Sequence, residues 1–170
     1  LPVFVLMIIL GKAAAIINKE QNMRLLIDAD GCPVVDICVR LAVSHSVECL
    51  ILCDTSHHFE KAGAVTMTFS KGADSVDFAL VNMLVPGDIV VTQDYGLAAM
   101  CLARGAAAVS QDGMEYTDDN IDALLLARQT AGKIRRGGGR LKGPAKRRPE
   151  QDTAFEQKLG ELLCGKRKRL

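Results

Sequence analysis

The chain has 170 residues, 49% of them hydrophobic and 24% charged, with 4% aromatics and no tryptophan; this is the composition of one ordinary globular domain, and it excludes disordered, collagen-like and multi-span membrane chains. Such a domain folds without disulfides or a structural metal, and the cysteines at 32, 38, 49, 53, 101 and 164 include no C-x-x-C pair, so we read them as reduced thiols of a cytoplasmic protein. The formal net charge of +1 conceals a split: residues 1–132 hold 8 Lys/Arg and 16 Asp/Glu, net −8, whereas residues 133–170 hold 13 and 4, net +9.

Leu1 to Leu10 is almost wholly apolar, with no positive charge before Lys12. The run is about half of what a membrane span needs and lacks the charged start of a secretory signal. We read residues 1–22 as an extension upstream of the domain, such as a start codon assigned too early would add, with a cleaved or anchoring leader as the alternative. No membrane partner is expected. Met23 precedes the first strand, Arg24–Asp28. Pro33 suits a first helical turn, and Val34–Val43 continues as a helix. Val47–Cys53 reads as the second strand, Asp54–Lys61 as a polar loop and Ala64–Phe69 as the third strand.

Asp74 opens a helix that Pro86-Gly87 ends, and Asp88–Thr92 is the fourth strand. Leu97–Arg104 is a helix stopped by Gly105, Ala106–Ser110 the fifth strand, and Thr117 caps a helix reaching about Arg128. Strands spaced by helices imply βαβ units with right-handed crossovers. The expected fold is α/β: a single three-layer domain over residues 23–131 with a mainly parallel sheet of about five strands. Residues 132–148, rich in Gly and Lys/Arg and free of acids, read as a basic linker, and residues 149–170 as a C-terminal helix and basic tail.

Open parallel sheets bind ligands beyond the carboxyl ends of their strands. Asp28 and Asp30 end strand one, Asp94 follows strand four, and Asp74 and Asp77 open the helix after strand three. Carboxylates gathered at one edge repel one another unless a cation joins them, and an oxygen-only set favours Mg²⁺ or Mn²⁺. Each acid near a helix start also has a plainer use as a cap or a partner of the helix dipole. Asp36, Asp54 and Asp88 read as surface or turn residues; the His57-His58 pair falls in the loop after strand two, at the same edge, where loop exposure is the preferred reading, and neither it nor His45 has an assigned role.

Four segments carry a resemblance: Asp28-Ala-Asp-Gly-Cys-Pro-Val34, Gly72-Ala-Asp-Ser-Val-Asp77, Val91-Thr-Gln-Asp-Tyr-Gly-Leu-Ala98 and Tyr116-Thr-Asp-Asp-Asn-Ile121. In order and spacing, from about Met23 to Phe155, they resemble the bacterial YaiI/YqxD family. That family has no settled biochemical function but is similar to PIN-like domains, which are metal-dependent nucleases built on a parallel sheet. The resemblance implies an acidic site of Asp28, Asp30, Asp74, Asp77 and Asp94, with Asp28 and Asp94 as principal metal ligands and Asp28, Asp74 and Asp94 as the catalytic set. Metal-dependent nucleases of this type often pair subunits to form a groove, so a homodimer is one expectation and the oligomeric state stays open. The chain departs from the family near its end, with Lys146-Arg147 in place of Pro-Phe and Thr153 in place of an Arg.

The leading expectation is a Mg²⁺- or Mn²⁺-dependent nuclease acting on RNA. Lys133, Arg135, Arg136, Arg140, Lys142, Lys146, Arg147 and Arg148 would hold phosphates. The alternative is a non-catalytic nucleic-acid or partner-binding module on the same fold. A third reading, a haloacid-dehalogenase-like phosphatase, rests on Leu25-Leu-Ile-Asp-Ala-Asp-Gly31 with Lys71. Against it, Pro33 starts a helix where those enzymes carry a hairpin insert.

Overall fold

The structure, a computed structural model, describes residues 23–72, 75–140, 143 and 145–165. The extension at 1–22, Asp74, Lys142 and the tail from residue 166 lie outside the described residues. In chain order the elements are β1 (Arg24–Asp28), α1 (Val35–Ser44), β2 (Glu48–Asp54), β3 (Val65–Phe69), α2 (Ser75–Met83), β4 (Ile89–Val91), α3 (Tyr95–Ala103), β5 (Ala107–Val109), β6 (Glu115–Tyr116), α4 (Asp118–Arg136) and α5 (Pro149–Leu163).

The apolar runs Leu25-Leu26-Ile27, Ile89-Val90-Val91 and Ala107-Ala108-Val109 are buried on both faces, as strands in the middle of a covered parallel sheet must be. The sheet order is β3-β2-β1-β4-β5-β6, with every pair parallel except β5–β6. β6 is the strand beyond the expected five. It is two residues long, and a tight turn in which Ser110 N–H donates to the Met114 carbonyl at 2.8 Å returns it antiparallel to β5.

Alternate residues of each strand sort into two cores. Leu25, Ile27, Ile51 and Val91 face α1 and α5; Leu26, Leu50, Leu52 and Val90 face α2, α3 and α4. Three layers result. α5 completes the first face, with Phe155 and Leu159 wholly buried beside Val35, Cys38, Val39 and Ala42 of α1. It packs tightly on the β5–β6 turn: Gly113 has φ +84°, and a Cβ there would lie 2.7 Å from the Ala154 carbonyl oxygen.

Two expectations change. Asp88 is not a surface residue. It is 0% exposed, pairs with the Arg24 guanidinium at 2.6 Å, and accepts the Val85 N–H at 2.9 Å. The pair clamps β1 to the turn before β4 at the amino edge of the sheet. The second change is α4, which continues to Arg136, so Lys133, Arg135 and Arg136 stand on a helix and not in a loop. A good helix former follows Gly132 at most positions, and one glycine costs only about 1 kcal/mol. Among the described residues no helix is long and apolar enough to cross a membrane.

The order places a topological switch between β1 and β4: one half of the chain winds outward through β2 and β3, the other through β5 and β6. Their carboxyl ends diverge there and leave a crevice.

Candidate metal centre at the carboxyl edge of the sheet

Asp28 is the last residue of β1, and its carboxylate Oδ2 accepts the Thr92 hydroxyl at 2.7 Å. Thr92, 2% exposed, follows β4 directly, and its Oγ1 accepts the Asp94 N–H at 3.0 Å. One threonine thus joins the two strand ends that flank the switch. Asp94 caps α3: its Oδ1 accepts the Gly96 and Leu97 N–H groups at 2.7 and 3.0 Å. Its Oδ2 accepts from Arg128 of α4 at 2.8 Å.

Asp30 lies just beyond β1. It accepts the backbone N–H of Asp54, the last residue of β2, at 3.2 and 3.1 Å on its two oxygens. His57 Nδ1 sits 2.9 Å from Asp30 Oδ1 and 3.3 Å from Asp54 Oδ1. Asp77 stands in the first turn of α2. Asp28, Asp30, Asp54, Asp77 and Asp94 line one open cleft of about 260 Å³ with Gly72, Ser75 and Val76. Four of the expected acids therefore converge, and Asp74 lies outside the described residues.

Burial pushes the Asp28 carboxyl up to about 6; the Thr92 hydroxyl pulls it down, and Asp77, Asp30 and Asp94 push it further up. Asp94 goes the other way. Burial raises it, but the Arg128 guanidinium and the Leu97 and Gly96 N–H groups outweigh that and hold it below the usual carboxylate range. Asp54 is also lowered, first by the Ser56 N–H, against a little desolvation and with help from His57. The cleft thus holds carboxyls of opposed tendency, the arrangement in which one group carries a proton that another does not.

The donor set suits a hard divalent ion. Asp30, Asp54 and His57 each offer a ligand atom within 4.8 Å of the others, and the remaining carboxylates share the cleft. The imidazole nitrogen fits Mn²⁺ better than Mg²⁺. Behind Asp28, Asp30 and Thr92 lies a cavity of about 20 Å³ that Gln111 also lines, room for one water. The Gln111 Oε1 is buried without a protein partner.

Three of these residues escaped the sequence reading. Asp54 ends β2 as Asp28 ends β1, and the same strand-end rule points to it. Arg128 also had a signal, because Ile121, Leu124, Leu125 and Arg128 follow the i, i+3, i+4, i+7 spacing of one helix face. His57 had a positional signal, since its loop follows strand two at the active edge, but loop exposure is the preferred reading from sequence and only the fold of the loop brings the ring to Asp30.

The expected phosphate-binding residues are spread out. Lys133, Arg135 and Arg136 lie on α4, while Arg140 and Lys146 are exposed beyond it. Lys142 lies outside the described residues. Arg148 is exposed at the start of α5, where its backbone N–H donates to Gln151 Oε1 at 2.8 Å. Arg147 does different work. It donates to Asp112 at 2.6 Å, to the Gln111 carbonyl at 2.7 Å and to Asp152 at 2.8 Å, tying α5 to the β5–β6 turn.

Residues 26–165 match the protein family described as uncharacterized BCR, YaiI/YqxD family. A UPF0178 protein of Exiguobacterium sibiricum is 54% identical over 144 residues, covering 85% of this chain and 99% of the relative. UPF0178 proteins of Ruminiclostridium cellulolyticum and Clostridium tetani are 47% and 42% identical, over 81% and 86% of this chain and 90% and 100% of theirs. No solved structure matches the chain. With its acidic strand ends set about the β1–β4 crevice and residues 26–165 matched throughout, the chain belongs to the YaiI/YqxD family.

Proposed function

We propose that this protein is a divalent-cation-dependent nuclease of the PIN-like kind, acting on RNA in the cytoplasm. The observation that carries the reading is the convergence of carboxylates from four segments, Asp28 and Asp30, Asp54, Asp77 and Asp94, on one cleft at the switch point. Such a set, with Asp28 half-buried among them, is costly to assemble, and a bound cation would offset the cost. Mg²⁺ or Mn²⁺ held by these residues, with Asp74 as a further member and His57 favouring Mn²⁺, would polarise a phosphodiester and lower the pKa of a water. Asp28 would be among the residues that hold the ion, oriented by its bond from the Thr92 hydroxyl, and the cavity beside Gln111 has room for one water next to the acids. α1 begins at Val35, directly after the Asp28-x-Asp30 turn, which leaves no place for the insert of a dehalogenase-like phosphatase.

One observation favours the second reading, a nucleic-acid-binding module without catalysis: both oxygens of Asp94 are taken, one by the α3 cap and one by Arg128. Cleavage of end-labelled single-stranded RNA, with Mn²⁺ or Mg²⁺ and with chelator, separates the two. Metal-dependent cleavage by wild type that is lost in identically purified Asp28→Asn and Asp94→Asn supports the nuclease. Absence of cleavage, or equal cleavage by the variants, overturns it.

A further inference from the structure

Asp94 poses a physical problem for any cation at this site, since its only oxygen not used to cap α3 faces the Arg128 guanidinium at 2.8 Å. A guanidinium and a divalent ion compete for that oxygen. Arg128 itself is 54% exposed, and it stands at the head of a second, larger feature.

α4 has 19 residues, of which only Ile121 is buried. From Leu125 onward a largely exposed face of the helix, together with Gly96 at the α3 amino terminus, lines an open groove of about 780 Å³. Arg128, Gly132, Arg135 and Arg136 succeed one another along that face at i, i+4, i+7 and i+8. Among the described residues the lining carries three guanidinium groups and no carboxylate. Gly132 sits midway with open space where a Cβ would stand, so the groove floor there is bare backbone. The lining holds no aromatic ring on which a base could stack.

We propose that this groove is the track for the phosphodiester backbone of a single-stranded nucleic acid, and that Arg128 passes from Asp94 to a backbone phosphate when the strand binds. The proposal rests on the nucleic-acid reading above and names the surface and the residue that link substrate to the acidic cleft. Three guanidinium groups, of which Arg128 is paired with Asp94 in the free protein, complement a polyanion once that pair opens, and they recognise it by charge and without regard to sequence. A phosphate offers Arg128 the bidentate partner that a capping carboxylate cannot. Its departure leaves Asp94 Oδ2 open to the cation, so strand and cation each strengthen the binding of the other.

The test is binding of a short fluorescein-labelled single-stranded RNA to the full chain in chelator, by anisotropy across a salt series. Arg128→Gln, Arg135→Gln and Arg136→Gln should each weaken binding several-fold at low salt and reduce the salt slope by about 0.7. Asp94→Asn releases Arg128 and should tighten binding. Arg40→Gln, which breaks an ion pair with Glu156 on the opposite layer, should change neither affinity nor slope. A Mn²⁺ titration without chelator supplies the second readout: RNA should raise Mn²⁺ affinity in wild type and leave it unchanged in Arg128→Gln. RNA bound equally well by the α4 variants overturns the groove and leaves the nuclease standing. Binding lost in those variants, in a protein that never cleaves, upholds the groove and removes the nuclease. Wild type that binds no RNA overturns both.

Discussion

Replacing Asp28 by Asn should make the protein more stable at neutral pH, and the size of the gain follows from where the carboxyl sits. Burial, then Asp77, Asp30 and Asp94, push Asp28 from 3.8 to about 6 against the pull of the Thr92 hydroxyl. A rise of that size is worth about 3 kcal/mol in favour of the protonated form. The unfolded chain releases this proton near 3.8 and the folded chain near 6. Between those values the folded state holds more protons, so stability falls as pH rises; the whole cost is present above the folded pKa and absent below the unfolded one. Asn cannot ionise, and its side-chain oxygen still accepts the Thr92 hydroxyl. Urea unfolding in chelator, followed by circular dichroism, should show Asp28→Asn ahead of wild type by about 2–3 kcal/mol near pH 7.5. Below the unfolded pKa the two should coincide. Mn²⁺ should raise the stability of wild type, by the logarithm of its concentration over Kd, and that of the variant by less, since Asp30, Asp54 and His57 remain. A variant no more stable than wild type near neutrality would refute the reasoning, because the carboxylate would then be paired or solvated and not held at a cost.

Asp88→Ala leaves the Arg24 guanidinium and two backbone N–H groups without their buried acceptor, and should cost about 3–5 kcal/mol, seen as a lower urea midpoint at unchanged m. Asp94→Ala removes the α3 cap that Asp94→Asn keeps, so the two should differ in stability by about 1 kcal/mol in thermal or urea unfolding. Phe155→Ala empties a wholly buried site between α5 and α1; a loss of about 3–5 kcal/mol is expected, checked by the same unfolding assay.

The strands were legible because a parallel sheet covered on both sides writes itself as unbroken apolar runs, and Leu25-Leu26-Ile27 is such a run. Their order was not, since nothing in a run says which neighbour it takes. The helix over 118–136 was read short because Gly132 and the basic residues around it resemble a linker, and because its last turns bury almost nothing that a periodicity could register. β6 has two residues, too few to alternate. Asp28, Asp30, Asp77 and Asp94 were found at the strand and helix ends to which the topology brings them. Asp54 was assigned to the loop one residue beyond its true place at the end of β2. Asp88 was read as a turn residue because its burial depends on Arg24, 64 positions away.

α5 is the last element of the domain to leave the ribosome, yet it supplies half of the cover on one face of the sheet. Until Phe155, Leu159, Leu162 and Leu163 arrive, the apolar side of α1 and the strand residues beneath it have nothing to shelter them. Native folding therefore waits until α5 has been made, and until then the nascent domain carries an exposed sticky flank. The same geometry decides where damage matters. A cut between α4 and α5 strips a wall from the core and should commit the remainder to degradation.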